Sequence, residues 1–234
     1  MCSHYQAIKT RARLEKMGVI LPEGWVPPHE LHIYKRFSAL FIRKPRPADG
    51  NEEALPGREL VNGEFGLLPH WSPGRVLKFD TLNARSETAS TTASYRLPWA
   101  QRHCIIPADW VNEPDWRSGK CVDTRIERAD GEPMGIAGLW DAWRHPETGE
   151  VVRSFTMLTI NADAHPLMNR FHRPGKEKRM VVILREADYT DWLDARAQES
   201  MAFMKPFPAE ELVASAADPA KAAETEDAPQ KAWW

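Results

Sequence analysis

The chain has 234 residues, 42% hydrophobic and 27% charged, which suits a soluble globular protein of one large domain or two small ones. Lys and Arg interrupt every hydrophobic run, which excludes a helical membrane span, and no apolar stretch follows residues 1–6 as a secretory signal requires; a soluble, cytoplasmic protein is expected. The 31 basic residues nearly balance 33 acidic ones, and because the chain from Ala209 onward carries −4 the preceding body carries +2, a balance that neither demands nor excludes nucleic acid. In chain order, a short helix is expected over residues 10–17. Strands are expected in "ELHIYKRFSALFIR" and "ELVNGEFGLL", on either side of a long exposed loop over 44–60. A helix over 91–100 precedes the apolar strand "HCIIPADWVNE". "CVDTRIER" and "PMGIAGLWDAW" flank an Asp130-Gly131 pair, a hairpin signal, and are followed by the strand "VVRSFTMLTI". A helix over 165–171, the strand "RMVVIL" and two helices over 185–194 and 197–204 complete the pattern.

Strands that follow one another without regular intervening helices predict an α+β chain. The expected fold is a single β-rich domain of mainly antiparallel strands, in a barrel-like or two-sheet core with peripheral helices. The domain is expected to span residues 1–206. Residues 207–234, rich in Ala, Glu, Asp and Pro and ending in Trp233 and Trp234, read as an acidic, mobile tail.

Three cysteines, Cys2, Cys104 and Cys121, cannot all pair, and none lies in a CxxC spacing, so a reduced compartment is expected. No metal site is expected, because His165 and His172 stand seven apart with no third ligand close by. Cys2 carries the most specific chemistry. Removal of Met1 would give it an α-amine, which in a free peptide titrates at about 7.7–8.0, two carbons from a thiol that titrates at about 8.5. Such a 1,2-aminothiol condenses with an aldehyde to an imine and closes a five-membered thiazolidine through sulfur. "TLNARSETAS" places Asn83, Arg85 and Glu87 on alternate positions, one face of an extended segment. Glu113 ends an apolar strand, where partial burial raises a carboxyl pKa and suits it to proton transfer. His172 precedes a strand and is followed by Arg173, Lys176, Lys178 and Arg179.

In the same order from residue 1 to about 205, "MCSHY", "NARSET", "CIIPAD…E", Leu158-Thr159 and the His172-then-"RM" segment resemble the SRAP family, the abasic-site-processing proteins of the SOS response. The resemblance implies that Cys2 is the nucleophile, forming a thiazolidine with the ring-opened sugar of an abasic site in single-stranded DNA. It implies that Asn83 positions the Cys2 backbone and amine, that Glu113 exchanges protons, and that His172 assists opening of the deoxyribose. Arg85 and Arg179 match phosphate-contacting positions and Thr159 a further position at the DNA-binding cleft. His4 stands where the family has a basic DNA contact. His70 and Trp71 in "LLPHW" stand where an aromatic wedge would stack on bases, though core packing is an equal reading of Trp71. Residues are added between His172 and Arg179, so either Arg179 returns to the family's position across a longer loop or Arg173 replaces it.

The resemblance further implies a lyase-type, cofactor-free, monomeric protein whose partner is abasic single-stranded DNA. Two other readings share these residues. An N-terminal-nucleophile or self-processing peptidase would use Cys2 with Glu113 or His172 as base. A non-covalent single-stranded DNA-binding module would use Arg85, Arg179 and Trp71 and leave Cys2 idle.

Overall fold

A computed structural model describes residues 2–45 and 57–216. Among these residues twelve strands form, the longer ones where β-branched and aromatic residues cluster. They are β1 (Tyr5–Ala7), β2 (His32–Ile33), β3 (Ser38–Arg43), β4 (Glu59–Phe65), β5 (Asn83–Arg85), β6 (His103–Asp115), β7 (Val122–Arg128), β8 (Met134–Arg144), β9 (Val151–Asn161), β10 (Arg179–Val181), β11 (Ile183–Leu184) and β12 (Leu212–Ala216). The helices are α1 (Arg11–Lys16), α2 (Ser86–Ala89), α3 (Arg96–Gln101) and α4 (Tyr189–Asp194).

Five strands close a barrel in the order β8-β9-β4-β3-β6, with β6 returning to β8. Closure removes the edges of the central sheet and encloses one core. Phe41, Phe65 and Phe155 are fully buried there, with ring centroids 5.5–5.6 Å apart in the Phe41–Phe155 and Phe65–Phe155 pairs. The pairings are antiparallel as expected, except that β9 runs parallel to β4 and β5. None of the described helices is long and apolar enough to cross a membrane.

Three expectations change. β7 and β8 do not form a hairpin across Asp130-Gly131. Both pair with β6, β8 along residues 103–108 and β7 along 111–115, so they lie end to end on one edge and residues 129–133 are an excursion. Gly131, at φ 72°, makes the turn of that excursion. The helices over 165–171 and 197–204 are single 3₁₀ turns, Met168–Arg170 and Ser200–Phe203. In the first, His165 Nδ1 accepts the backbone N–H groups of Leu167 and Met168, at 3.2 and 3.0 Å, which tightens the chain locally. Finally, the described structure continues past Pro206. Phe207 and Leu212 are buried, and β12 pairs along all of its five residues with β7. Residues 46–56 of the expected loop and 217–234 of the expected tail lie outside the described residues.

Candidate active site

Cys2 enters the barrel end because the strand that follows it is pinned on both sides. β1 pairs with β2 and β6, and the Asn112 N–H donates to the His4 carbonyl at 2.9 Å. The Cys2 side chain is fully buried, and its thiol donates to the same carbonyl at 3.2 Å. Burial, reinforced by the nearby charge of Glu113, pushes that thiol up to about 12, so the sulfur rests protonated. Asn83 comes from β5, which is held parallel to β9. Its Nδ2 donates to the Cys2 carbonyl at 2.7 Å, fixing the backbone from which the nucleophile projects.

Glu113 lies near the end of β6 and is 1% exposed. Burial raises its carboxyl from 4.5 to about 7. His172 is brought to it by local backbone geometry: it takes φ 63°, its N–H donates to Pro114 O at 2.8 Å, and Phe171 bridges to Asp115. His172 Nε2 then lies 3.1 Å from Glu113 Oε2 and 3.2 Å from the Arg179 carbonyl. A carbonyl only accepts, so these neighbours assign the hydrogen to Nε2. Burial lowers the imidazole to about 4, keeping the ring neutral near pH 7. A buried thiol therefore stands beside a carboxyl poised between its two forms and a neutral imidazole, a set that can move protons around a nucleophilic addition.

The expected DNA contacts divide. Arg85 is exposed, and its Nη1 donates to Glu177 Oε2 at 2.6 Å. Arg179 is 2% exposed: Glu87 binds it through two 2.8 Å hydrogen bonds, and Glu177 Oε1 and the Thr159 carbonyl accept at 2.8 and 2.7 Å. Thr159 is also buried, because β5 and β10 both pair at this residue of β9. The Arg173 guanidinium stacks 4.6 Å over the Trp116 ring. His4 is caged by aromatic rings, stacked on Tyr34 at 4.2 Å with Trp110 edge-on at 5.1 Å, and burial and His32 lower it to about 4. Its ring is therefore neutral near pH 7 in this structure. Trp71 is 47% exposed while its indole N–H donates to Ala93 O at 3.1 Å, so the ring is held at the surface. His70 is anchored beside it: its backbone N–H and Nδ1 both lie 2.9 Å from the buried carboxylate of Asp141, which also pairs with Arg102.

Asn83, Arg85 and Glu87 all turn toward this end of the barrel, although the extended segment stops at Arg85 and Glu87 sits on α2. Glu177 and Asp141 carry no role in the sequence reading. The signals for them are slight: Glu177 alternates with Arg179 along an extended run, and Asp141 is the single charge in "GLWDAW". Among the described residues, no three of His, Cys, Asp and Glu come together as a metal centre would need.

A small closed barrel with a near-terminal cysteine set against a buried carboxyl and imidazole defines the class of protein. A family model described as SOS response associated peptidase (SRAP) matches residues 1–220, and the chain belongs to that family. The abasic site processing protein YoqW of Bacillus subtilis (strain 168) is 29% identical over 154 residues, 64% of this chain and 65% of YoqW. The abasic site processing protein HMCES of Gallus gallus is 28% identical over 176 residues, 64% of this chain and 50% of that one. The matched region thus spans about half to two-thirds of these relatives. A crystal structure of a protein from Bordetella bronchiseptica superposes with a TM-score of 0.81 at 47% identity, covering 93% of this chain and 100% of its own.

Proposed function

We propose that the protein processes abasic sites in single-stranded DNA, as part of a DNA-damage response, by capturing the ring-opened sugar at Cys2 after Met1 is removed. The observation that carries this reading is the placement of Cys2: its carbonyl is held by Asn83 at 2.7 Å and its thiol is buried near Glu113, itself 3.1 Å from His172. The Cys2 amine adds to the aldehyde carbon. Protonation of the carbinolamine hydroxyl by Glu113 then expels water and leaves an iminium ion. The Glu113 carboxylate so formed takes and keeps the thiol proton as sulfur adds to the iminium carbon, and the ring nitrogen retains the hydrogen it brought from the amine. One water is lost and a thiazolidine is gained, with Glu113 returned to its starting form. His172, neutral and adjacent, is assigned the proton traffic at the ring oxygen when the sugar opens.

Intact-mass measurement of the purified protein, with and without abasic single-stranded DNA, tests Met1 loss and adduct formation together. Wild type and Cys104→Ala are expected to gain the DNA mass, and Cys2→Ala to gain none while still folding. A heat-stable adduct in Cys2→Ala would move the nucleophile elsewhere. Because Glu113 lies close to Cys2, self-removal of Met1 is the second reading. It requires Glu113→Gln to retain Met1 in a host that lacks a competing aminopeptidase activity, where wild type loses it.

A further inference from the structure

Arg85 and Arg179 stand at one end of β9, on the strands to either side of it, and one carboxylate spans them. Glu177 Oε2 accepts from Arg85 Nη1 at 2.6 Å, and Oε1 accepts from Arg179 Nη1 at 2.8 Å and from Asn161 Nδ2 at 3.2 Å. The hydrogen bonds from the two guanidinium groups, that of Arg179 foremost, hold the Glu177 carboxyl at about 2, so it is ionised throughout the working range of pH. Two anionic oxygens bridging two guanidiniums reproduce the charge and acceptor geometry that a phosphodiester would present.

The second acid on Arg179 differs in kind. Glu87 grips the guanidinium in a two-point fork, tying α2 to β10. Glu177 instead belongs to the segment 173–178 that joins His172 to β10, which turns at Gly175 with φ 75° and leaves Glu177 a third exposed. If Glu177 withdraws, Arg179 keeps its fork with Glu87 and its bond to the Thr159 carbonyl, so no buried charge is stranded. An incoming anion can therefore replace one carboxylate without the penalty of breaking a buried pair.

We propose that Glu177 is a built-in competitor for the DNA backbone, occupying the anion position between Arg85 and Arg179 until a strand phosphate displaces it. This rests on the single-stranded DNA reading above and adds a gate to it. The gate sits on the segment that carries His172, whose carbonyl accepts from Lys178 Nζ at 3.0 Å, so displacement of Glu177 acts on the chain that positions the imidazole.

The test measures binding of a fluorescein-labelled single-stranded oligonucleotide without an abasic site to the full-length protein, by anisotropy at fixed low salt. Glu177→Gln and Glu177→Ala are both expected to bind about tenfold more tightly than wild type, the scale of one charge-assisted contact no longer in competition. Asp163→Asn removes a neighbouring charge that touches neither arginine and is expected to change affinity by less than about twofold. In an Arg85→Gln background the gain from Glu177→Gln is expected to shrink below about twofold, since the two residues act on one position. A gain no larger than that of Asp163→Asn, or one that persists undiminished without Arg85, overturns the gate while wild-type binding upholds the DNA reading. Absence of binding by wild type and by both Glu177 variants overturns the gate and the DNA reading alike.

Discussion

Burial moves Glu113 and His172 in opposite directions, and the two shifts leave opposite marks on stability. Glu113 is raised from 4.5 to about 7, so between those values the folded chain holds a proton that the unfolded chain has lost, and stability falls as pH rises. His172 is lowered from 6.5 to about 4, so the unfolded chain binds the extra proton, and stability rises with pH across that window. In wild type the two slopes offset. Relative to wild type, Glu113→Gln is expected to gain stability as pH rises from 4.5 to 7, and His172→Gln to lose it as pH rises from 4 to 6.5, each on the order of 2 kcal/mol. Urea midpoints measured over pH 4–7 check this, and parallel curves for the two variants would contradict the assignment. In catalysis, Glu113→Gln keeps the shape and loses the proton, so adduct formation is expected to slow by roughly 10²–10⁴-fold. His172→Gln is expected to slow reaction with the closed sugar more than with a trapped open aldehyde; equal slowing on both substrates would remove its ring-opening role. Cys2, Asn83, Glu113 and His172 stand out in sequence through the order of motifs that carries the family resemblance; a glutamate near the end of an apolar strand or a lone histidine is by itself ordinary. The partners of Arg179 are not legible, because Glu87 stands 92 residues away and nothing local reports that a salt bridge encloses the guanidinium.

At the scale of elements, β6, β8 and β9 can be read directly from long apolar runs, since each is buried along most of its length. The pairing of β7 with β8 cannot. An Asp-Gly turn looks the same whether its flanking strands meet each other or both meet a third, and only the thirteen-residue length of β6 offers room for both on one edge. β12 is hidden for a different reason: Leu212 is its one buried residue, in a stretch whose composition resembles a tail. The glycines of β8 have a packing role that composition does not reveal. A Cβ on Gly138 would fall 2.6 Å from the Thr156 carbonyl and 2.2 Å from Ile106 Cδ1, so the barrel wall would have to shift. Gly138→Ala is expected to destabilise by about 3 kcal/mol, at the upper end for overpacking, visible as a lowered thermal midpoint. An unchanged midpoint would mean that β8 and β9 slide apart at little cost.

For the whole molecule, the barrel closes on itself, and the residues proposed to act gather at one end of it, where β1, β5, β10 and the end of β6 converge. The remainder of the chain sets how well that end is held. A chain ended after Pro206 lacks Phe207, Leu212 and the ladder of β12 on β7, and is expected to melt at a clearly lower temperature than a chain ended after Ala216. Equal melting temperatures would reduce β12 to an accessory strand. Substrate form is also decided at this scale. An exposed ring fixed at Trp71 suits stacking on unpaired bases, so adduct formation is expected to favour single-stranded over fully paired abasic DNA and to slow as salt rises. Comparable rates on duplex would return Trp71 to a purely structural role.

The enclosure of Cys2 has a chemical consequence for the resting protein. A molecule that consumes its one nucleophile on each lesion, as proposed above, cannot recover a sulfur lost beforehand to peroxide or to an alkylating agent. The thiolate is the form such reagents attack, and a buried thiol held up to about 12 supplies almost none of it. Cys121, exposed and free, is the sulfur that iodoacetamide reaches first. On the proposal above, the fold is packaging for a single-use reagent, holding the Cys2 thiol buried and protonated until an aldehyde arrives.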